Sequence, residues 1–125
     1  MRTKQSTHQR VFKTAWFAKA AKKARISDAA LCLAISQVKK GQADDLGSGV
    51  YKKRLNDNMH RSIILTHSEQ GWVYQFLFAK KDRSNIDSDE LLQFRALAKA
   101  YAKLTTPQLD QLIKDQRSSI FGDMS

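Results

Sequence analysis

Apolar residues recur with two different periods along the chain, and the change of period separates helical from strand-like sections. After Thr14 they follow the period of a helix, about 3.6 residues, and a second helix begins at Ser27, a good N-cap, and ends at Gly41. The two apolar stripes are Trp16, Phe17, Ala20, Ala21 and Ala24, then Leu31, Ala34, Ile35 and Val38. Val11 and Phe12 predict a short edge strand. Because few residues separate the helices, we expect an antiparallel helical hairpin.

Three strand-like runs follow, over residues 50–55, 61–66 and 71–79. The turns between them are too short for parallel crossovers, so the strands should pair antiparallel. The segment GQADDLGSG before the first run has the composition of a loop. Side chains alternate between the faces of a strand, so the last run should place its aromatic residues on one face and its smaller residues on the other. The aromatic set is Trp72, Tyr74, Phe76 and Phe78, and the other set is Val73, Leu77 and Ala79.

Two further helices are predicted after the strands. Asp87 and Glu90 form a capping pair at the start of one helix, and Thr106 with Pro107 begins the other. The pattern predicts an α+β fold, with a helical hairpin packed on a three- to four-stranded antiparallel sheet and followed by C-terminal helices. We expect a single domain over residues 10–116, a disordered lead-in over 1–9 and a frayed tail over 117–125.

Charge is the strongest bulk signal. The chain of 125 residues carries 22 basic and 12 acidic side chains, a net charge of +10. A basic domain of this size usually binds a polyanion or an acidic protein, although a merely solubilising surface is the alternative. No run approaches the roughly 18 apolar residues of a membrane span, and no apolar segment of a signal peptide is visible. Cys32, the single cysteine, lies among alanines and leucines and should be a small buried residue. A cytoplasmic protein is expected.

The first predicted strand carries cations at alternate positions. Lys52 and Arg54 share one face, and a register that places Arg61 of the next strand beside them is available, because paired strands lie about 4.8 Å apart. Further cations follow in sequence or lie between these: Lys53, Lys80, Lys81 and Arg83. The strands themselves show no acidic residue to balance them. We therefore expect the cations to converge on an anion, and a phosphodiester chain suits the arginine fork and the lysine point charge best.

Proton transfer at such a site has two candidates. Crowded cations favour the neutral form of an amine, so Lys52 could accept a proton. His60 could act as an acid or base beside Arg61, although an exposed histidine without such a role is more common. A metal site is not expected, since His60 and His67 have no cysteine or carboxylate cluster beside them, and no cofactor is expected.

The order of these segments resembles the RelE/ParE superfamily of bacterial type II toxins, in its HigB/RelE-like branch. The matching segments are GVYKKRL, NMHRSIIL, WVYQFLFAKKDRSNI and DELLQFRALAKAY, and the resemblance covers about residues 10–116. It implies a metal-independent endoribonuclease that cuts messenger RNA, commonly in the ribosomal A site, and thereby blocks translation. In that reaction the 2′-hydroxyl of the RNA attacks the neighbouring phosphate.

The resemblance also implies residue roles. Lys52, Arg54, Arg61 and Lys81 match catalytic positions. From their charge, the neighbouring cations Lys53, Lys80 and Arg83 are expected to bind RNA phosphates. Lys81 stands where a RelE-type toxin has a catalytic arginine, so the charge is kept and the fork is lost; Arg83 is a nearby substitute. Asp87 occupies the position of a tyrosine that places the substrate base in RelE, and here it reads as a helix cap.

Partners follow from the same resemblance. An antitoxin with a DNA-binding helix-turn-helix would hold the toxin inactive, and operator DNA would be contacted only through it. The ParE side of the superfamily poisons DNA gyrase and lacks the basic nuclease residues, which favours the nuclease interpretation. A non-enzymatic inhibitor of gyrase and a plain RNA-binding domain stay open as alternatives.

Overall fold

The computed structural model describes residues 10–67 and 71–115, so the predicted lead-in and tail lie outside the described residues. The helices and strands in chain order are β1 (Arg10–Lys13), α1 (Ala15–Lys23), α2 (Asp28–Lys39), β2 (Asp44–Gly47), β3 (Val50–Leu55), β4 (His60–Thr66), β5 (Gly71–Ala79), α3 (Ser88–Ala102) and α4 (Thr106–Lys114). No helix within these ranges is long and apolar enough to cross a membrane.

The strands form a five-stranded sheet in the order β1-β5-β4-β3-β2. The pairs formed by β3 with β4 and by β4 with β5 are antiparallel, as predicted. The strand β2 is also antiparallel to β3. The predicted edge strand is confirmed as β1, which pairs in parallel with β5. The fold class is thus the predicted α+β, with one strand more than expected.

The additional strand is β2, and the prediction of a loop over this segment was wrong. Ser48 and Gly49 both have left-handed φ angles, 55° and 84°, which form the two-residue turn of a β-hairpin into β3. A strand at the edge of a sheet is held by its backbone, so the polar sequence Asp44–Gly47 needs no apolar alternation. The polar composition of this segment therefore gave no indication of a strand.

Helices cover both faces of the sheet. On one face α1 and α2 share a core with β3, β4 and β5, which confirms the predicted helical hairpin on the sheet. On the other face α3 and α4 bury Val50, Ile63 and Leu65. This second layer ends before the end of β3 that carries the cations, and the sheet is left open there.

The predicted alternation along β5 was wrong because the strand contains a bulge. The pairing with β4 shifts between Ile63, opposite Phe76, and Ile64, opposite Tyr74, so Gln75 is an extra residue. Beyond the bulge the faces exchange. Tyr74 packs with α1 and α2, whereas Phe78 packs on the side of α3 and α4.

The helix starts confirm the predicted caps. The Ser27 side chain accepts a hydrogen bond from the backbone N–H of Ala30. Asp87 and Glu90 form the expected capping box of α3, and α4 begins at Thr106 with Thr105 as its N-cap. Local sequence is sufficient to place these starts because the caps satisfy N–H groups that have no partner within the helix.

Cys32 is exposed, so the prediction of a buried cysteine was wrong. The buried stripe of α2 consists of Leu31, Ala34, Ile35 and Val38. The position after Leu31 lies about 100° further around the helix, outside that stripe. Cys32 therefore lies outside the buried face of α2, although its neighbours in sequence are apolar.

Candidate functional site

Three of the predicted cations lie on one face of the sheet, at the end that α3 leaves open. Arg54 of β3 is directly opposite Arg61 of β4, which confirms that the register brings them together. Lys52 lies two residues earlier on the same face. They border a depression of about 250 Å³, here called the cationic hollow. Its lining residues are Gln42, Ala43, Asp44, Lys52, Lys53, Arg54 and Arg61.

Lys52 is held at the floor of the cationic hollow. Its side chain is only 17% exposed, and its Nζ lies 3.7 Å from Oδ2 of Asp44. Nζ also donates a hydrogen bond to Oδ1 of Asn85 at 3.2 Å. A shielded charge is costly without partners, so the ion pair with Asp44 and the hydrogen bond to Asn85 explain why a lysine is stable here. They also correct the expectation that the strands carry no acid, since Asp44 belongs to the strand that sequence analysis read as a loop.

Lys53 points its amine to the rim of the cationic hollow. Nζ donates to the backbone carbonyl of Gln42 at 3.0 Å, at the end of the segment that follows α2. Burial, and to a lesser extent the neighbouring charge of Arg54, lower the pKa of the Lys53 amine. One lysine of the cationic hollow thus has a lowered pKa, with burial as the larger cause and the charge of Arg54 as the smaller one.

The turn between β3 and β4 orients Arg61. Nη1 of Arg61 donates to the carbonyl of Asn58 at 3.0 Å and to that of His60 at 3.3 Å. Asn56, Asp57 and Asn58 all have left-handed φ angles of 55°, 54° and 71°, which a sequence rich in Asn and Asp tolerates. The turn consequently holds the Arg61 guanidinium through its Nη1 atom.

Lys80 and Lys81 lie elsewhere than predicted. They line a second depression of about 650 Å³, here called the Met59 hollow, which shares no lining residue with the cationic hollow. Its lining residues are Lys23, Ala24, Asp57, Asn58, Met59, His60, Ala79, Lys80 and Lys81. The expected single basin is therefore divided in two, because β5 ends in a turn beside the β3–β4 loop.

Arg83 is not an open fork for an anion. Its guanidinium forms a two-pronged ion pair with Glu90 at the start of α3, in which Nη1 lies 3.1 Å from Oε2. Nε donates to the carbonyl of Asn85 at 3.0 Å. The hydrogen bond from Arg83 is the largest cause of a lowered pKa at the Glu90 carboxyl. The prediction that Arg83 awaits a phosphate does not fit this geometry, since its counter-charge comes from the protein.

The histidines have local partners. Nδ1 of His60 lies 3.2 Å from Nδ2 of Asn56, and Nε2 of the buried His67 lies 2.6 Å from the carbonyl oxygen of Leu104. Across residues 10–67 and 71–115, no group of three or more histidine, cysteine, aspartate or glutamate side chains is arranged to hold a metal ion.

A family model for the RelE toxin of the RelE/RelB toxin-antitoxin system matches residues 9–119. The chain belongs to the RelE toxin family. The resemblance read from the sequence is thereby confirmed at the level of the family, while the HigB branch stays a prediction. A search of curated proteins found no match. Membership in the RelE family makes the chain a toxin of a toxin-antitoxin system and implies an antitoxin partner.

In this RelE toxin Asp87 is a structural residue. Its carboxylate accepts a hydrogen bond from the backbone N–H of Glu90 at 2.8 Å, and the Glu90 carboxylate accepts one from the N–H of Asp87 at 2.9 Å. The predicted cap is confirmed. Asp87 is therefore used to start α3.

Sequence reasoning missed two residues of the cationic hollow's surroundings, Asp44 and Asn85. The signal for Asp44 was present, because Ser48-Gly49 directly before the apolar-polar run of β3 is a turn sequence that predicts a preceding strand. No local signal marks Asn85, which reaches Lys52 from the loop between β5 and α3.

Proposed function

We propose that this RelE toxin is an endoribonuclease that cleaves messenger RNA on the ribosome and so blocks translation. The observation that carries the proposal is the cationic hollow. There Arg54 and Arg61 lie opposite each other on adjacent strands, with Lys52 beside them. Four cationic side chains and one carboxylate line it. A depression with this excess of positive charge favours a phosphodiester.

Positioning of the RNA and stabilisation of negative charge are two requirements of this reaction. When the 2′-hydroxyl attacks the adjacent phosphate, negative charge grows on the phosphoryl oxygens, and fixed cations stabilise it. Arg61 and Arg54 can hold those oxygens with planar forks, and Lys52 supplies a point charge held by Asp44 and Asn85. Each such contact removed from a transition state typically costs about 10²–10³-fold in rate.

The Met59 hollow would hold RNA next to the reacting phosphate. Lys80 and Lys81 supply charge at its edge, and Met59, which is 59% exposed, supplies an apolar surface. We assign Lys81 to binding of the flanking strand, because it does not line the cationic hollow. The predicted catalytic role of Lys81 is thus replaced by a binding role in this proposal.

The proposed setting is the bacterial cytoplasm, where messenger RNA and ribosomes are found. The antitoxin would carry a helix-turn-helix, hold the toxin inactive and bring it to operator DNA, which the toxin itself would not contact. A net charge of +10 suits both an RNA substrate and an antitoxin with an acidic surface.

Induction of the toxin in bacteria tests the proposal. Incorporation of labelled methionine should stop within minutes for the wild-type chain and continue for Lys52→Ala and Arg61→Ala, because each removes a cation from the cationic hollow. Lys99→Ala is the matched control, since Lys99 is an exposed lysine of α3 that lines neither hollow. It should remain as toxic as the wild type.

Two outcomes would contradict the proposal. Equal toxicity of Lys52→Ala, Arg61→Ala and the wild type would remove the cationic hollow from the activity. DNA breaks and an SOS response with continued translation would identify a gyrase poison instead.

A further inference from the structure

Asp44 is the acidic residue of the cationic hollow. Its Cα is the register partner of Lys52, so the two side chains lie on the same face of the sheet. Oδ2 lies 3.7 Å from the Lys52 ammonium, yet the Asp44 side chain remains 66% exposed. The carboxylate is therefore near the cations and also open to a ligand that enters the cationic hollow.

The strand that carries Asp44 is also held by α3. Arg95 of α3 donates to the carbonyl of Leu46 through both Nε and Nη2, with Nε at 3.0 Å. A Cβ on Gly47 would lie 3.3 Å from Nη2 of Arg95, so the guanidinium packs closely on this strand. The hairpin turn at Ser48 and Gly49 fixes the register with β3. Asp44 is thus presented by a firmly held element rather than by a loop.

Attack by a 2′-hydroxyl requires a group that accepts its proton. Arginine does not give up its charge in proteins, which excludes Arg54 and Arg61. Lys52 already donates to Asn85. Lys53 has a lowered pKa, but its amine donates to the carbonyl of Gln42. Within the described part of the chain, Asp44 carries the one carboxylate that lines the cationic hollow.

We propose that Asp44 is the general base of RNA cleavage, an inference that rests on the proposed nuclease function. The Asp44 carboxylate takes the proton of the 2′-hydroxyl while the 2′-oxygen bonds to phosphorus. The bond from phosphorus to the 5′-oxygen breaks, and that oxygen takes a proton from water. Asp44 returns its proton to solvent. The products are a 2′,3′-cyclic phosphate and a 5′-hydroxyl end, and no oxidant or co-reactant is needed.

The test compares Asp44→Asn with Asp45→Asn in single-turnover cleavage of ribosome-bound messenger RNA. Asp45 is the next residue of β2 and pairs with Tyr51, so it belongs to the opposite face. Its Oδ1 accepts from the N–H of Gly47, a contact that asparagine can keep. Asp44→Asn should lower the cleavage rate about 10²–10⁴-fold, and Asp45→Asn should leave it unchanged.

A measurement of RNA binding distinguishes a role of Asp44 as proton acceptor from a role as counter-charge to the cations. For the same messenger RNA with a 2′-deoxynucleotide at the cut position, Asp44→Asn should bind as tightly as the wild type or more tightly, because it removes a negative charge.

Asp44→Glu provides a second variant that keeps the carboxylate if the amide variant folds poorly. It should retain more cleavage than Asp44→Asn at equal folded fraction. Cleavage by Asp44→Asn at the wild-type rate, or loss of cleavage fully explained by weaker binding, would overturn the assignment of Asp44. If the wild type and Asp45→Asn also fail to cleave RNA, the nuclease function itself is wrong, and the two failures are thereby distinguished.

Discussion

Lys52 shows how a single residue can be both structural and poised for binding. It is largely shielded from solvent, and its two partners come from different elements: Asp44 of β2 forms an ion pair with it, and Asn85 of the loop before α3 accepts its hydrogen bond. These two partners leave part of the Lys52 side chain facing the cationic hollow. A phosphate that enters the hollow thus meets a cation whose position is already fixed, and little side-chain entropy is lost on binding.

Gln75 is a polar side chain that is buried between the sheet and α3. This extra residue of the β5 bulge is 1% exposed, and its Oε1 accepts a hydrogen bond from the Tyr101 hydroxyl at 2.8 Å. Its Nε2 has no partner among residues 10–67 and 71–115. Burial raises the pKa of Tyr101 to about 12, so the hydroxyl stays protonated and continues to donate. Sheet and helix are joined here by one polar contact in an apolar layer.

Removal of the Tyr101 hydroxyl should therefore destabilise the protein. We expect Tyr101→Phe to lower the free energy of unfolding by about 1–3 kcal/mol, because the buried Gln75 oxygen loses its donor. The double variant Tyr101→Phe with Gln75→Leu should recover most of that loss, since both polar groups are then gone. Urea denaturation measures both, with Tyr51→Phe at a half-buried tyrosine as the control. A double variant as unstable as the summed single variants would contradict this account.

At the scale of elements, helices could be predicted from sequence more completely than strands. The stripe Leu31, Ala34, Ile35 and Val38 and the Asp87–Glu90 cap are local patterns, and the structure confirms them. The strand β2 could not be found by alternation, because backbone pairing at a sheet edge holds it. The bulge at Gln75 depends on the pairing with β4, which local sequence does not specify.

The same difference applies to the candidate site. Alternation within one strand was enough to place Lys52 and Arg54 on one face, and the register with Arg61 was available to reasoning. Contacts between segments that are distant in sequence could not be predicted in this way. The pairing of Arg83 with Glu90 and the approach of Asn85 to Lys52 depend on how the loop after β5 folds back, which no periodicity encodes.

The ion pair between Arg83 and Glu90 ties that loop to α3 and should make stability depend on pH. The pKa of the Glu90 carboxyl is lowered from its ordinary value of 4.5, mainly by the hydrogen bond from Arg83. A carboxyl with a lowered folded-state pKa stabilises the fold above its unfolded-state pKa, and this contribution is lost as the pH falls through the folded-state pKa.

Wild type should accordingly be more stable than Glu90→Gln at pH 7, and the difference should shrink below about pH 4.5. Urea midpoints measured from pH 7 to pH 2 check this. Asp89→Asn, an exposed change in the same turn of α3, is the control and should show a smaller difference. A difference between wild type and Glu90→Gln that is constant across this range would show that the charge of Glu90 contributes nothing.

For the whole molecule, the fold explains why so many positive charges occur in the middle of a sheet. The helices α1 and α2 pack on one face of the sheet, while α3 and α4 cover the other face around Val50 and Ile63. The end of β3 beyond them is open, and there the sequence changes from apolar residues to Lys52 and Arg54. An exposed sheet surface on a rigid core is a stable platform for binding an extended phosphodiester chain.

The division of the cations into two hollows also belongs to this scale. The cationic hollow is lined by Lys52, Arg54 and Arg61, which in the proposed function would contact the reacting phosphate. The Met59 hollow combines Lys80 and Lys81 with an apolar side chain. Their linings meet in sequence at His60 and Arg61 of β4. An RNA strand that crosses the start of β4 would reach both, which fits a substrate longer than one nucleotide.

Primer extension on messenger RNA isolated shortly after induction tests the central claim most directly, because it detects the broken phosphodiester itself. The wild-type toxin should produce new 5′ ends within coding sequences. Lys52→Ala with Arg61→Ala should produce none, whereas Lys99→Ala with Lys103→Ala, which removes the same charge from the end of α3, should give the wild-type pattern. New ends of equal intensity from the Lys52 and Arg61 double variant, or arrest of growth by the wild type with intact messenger RNA, would contradict the account.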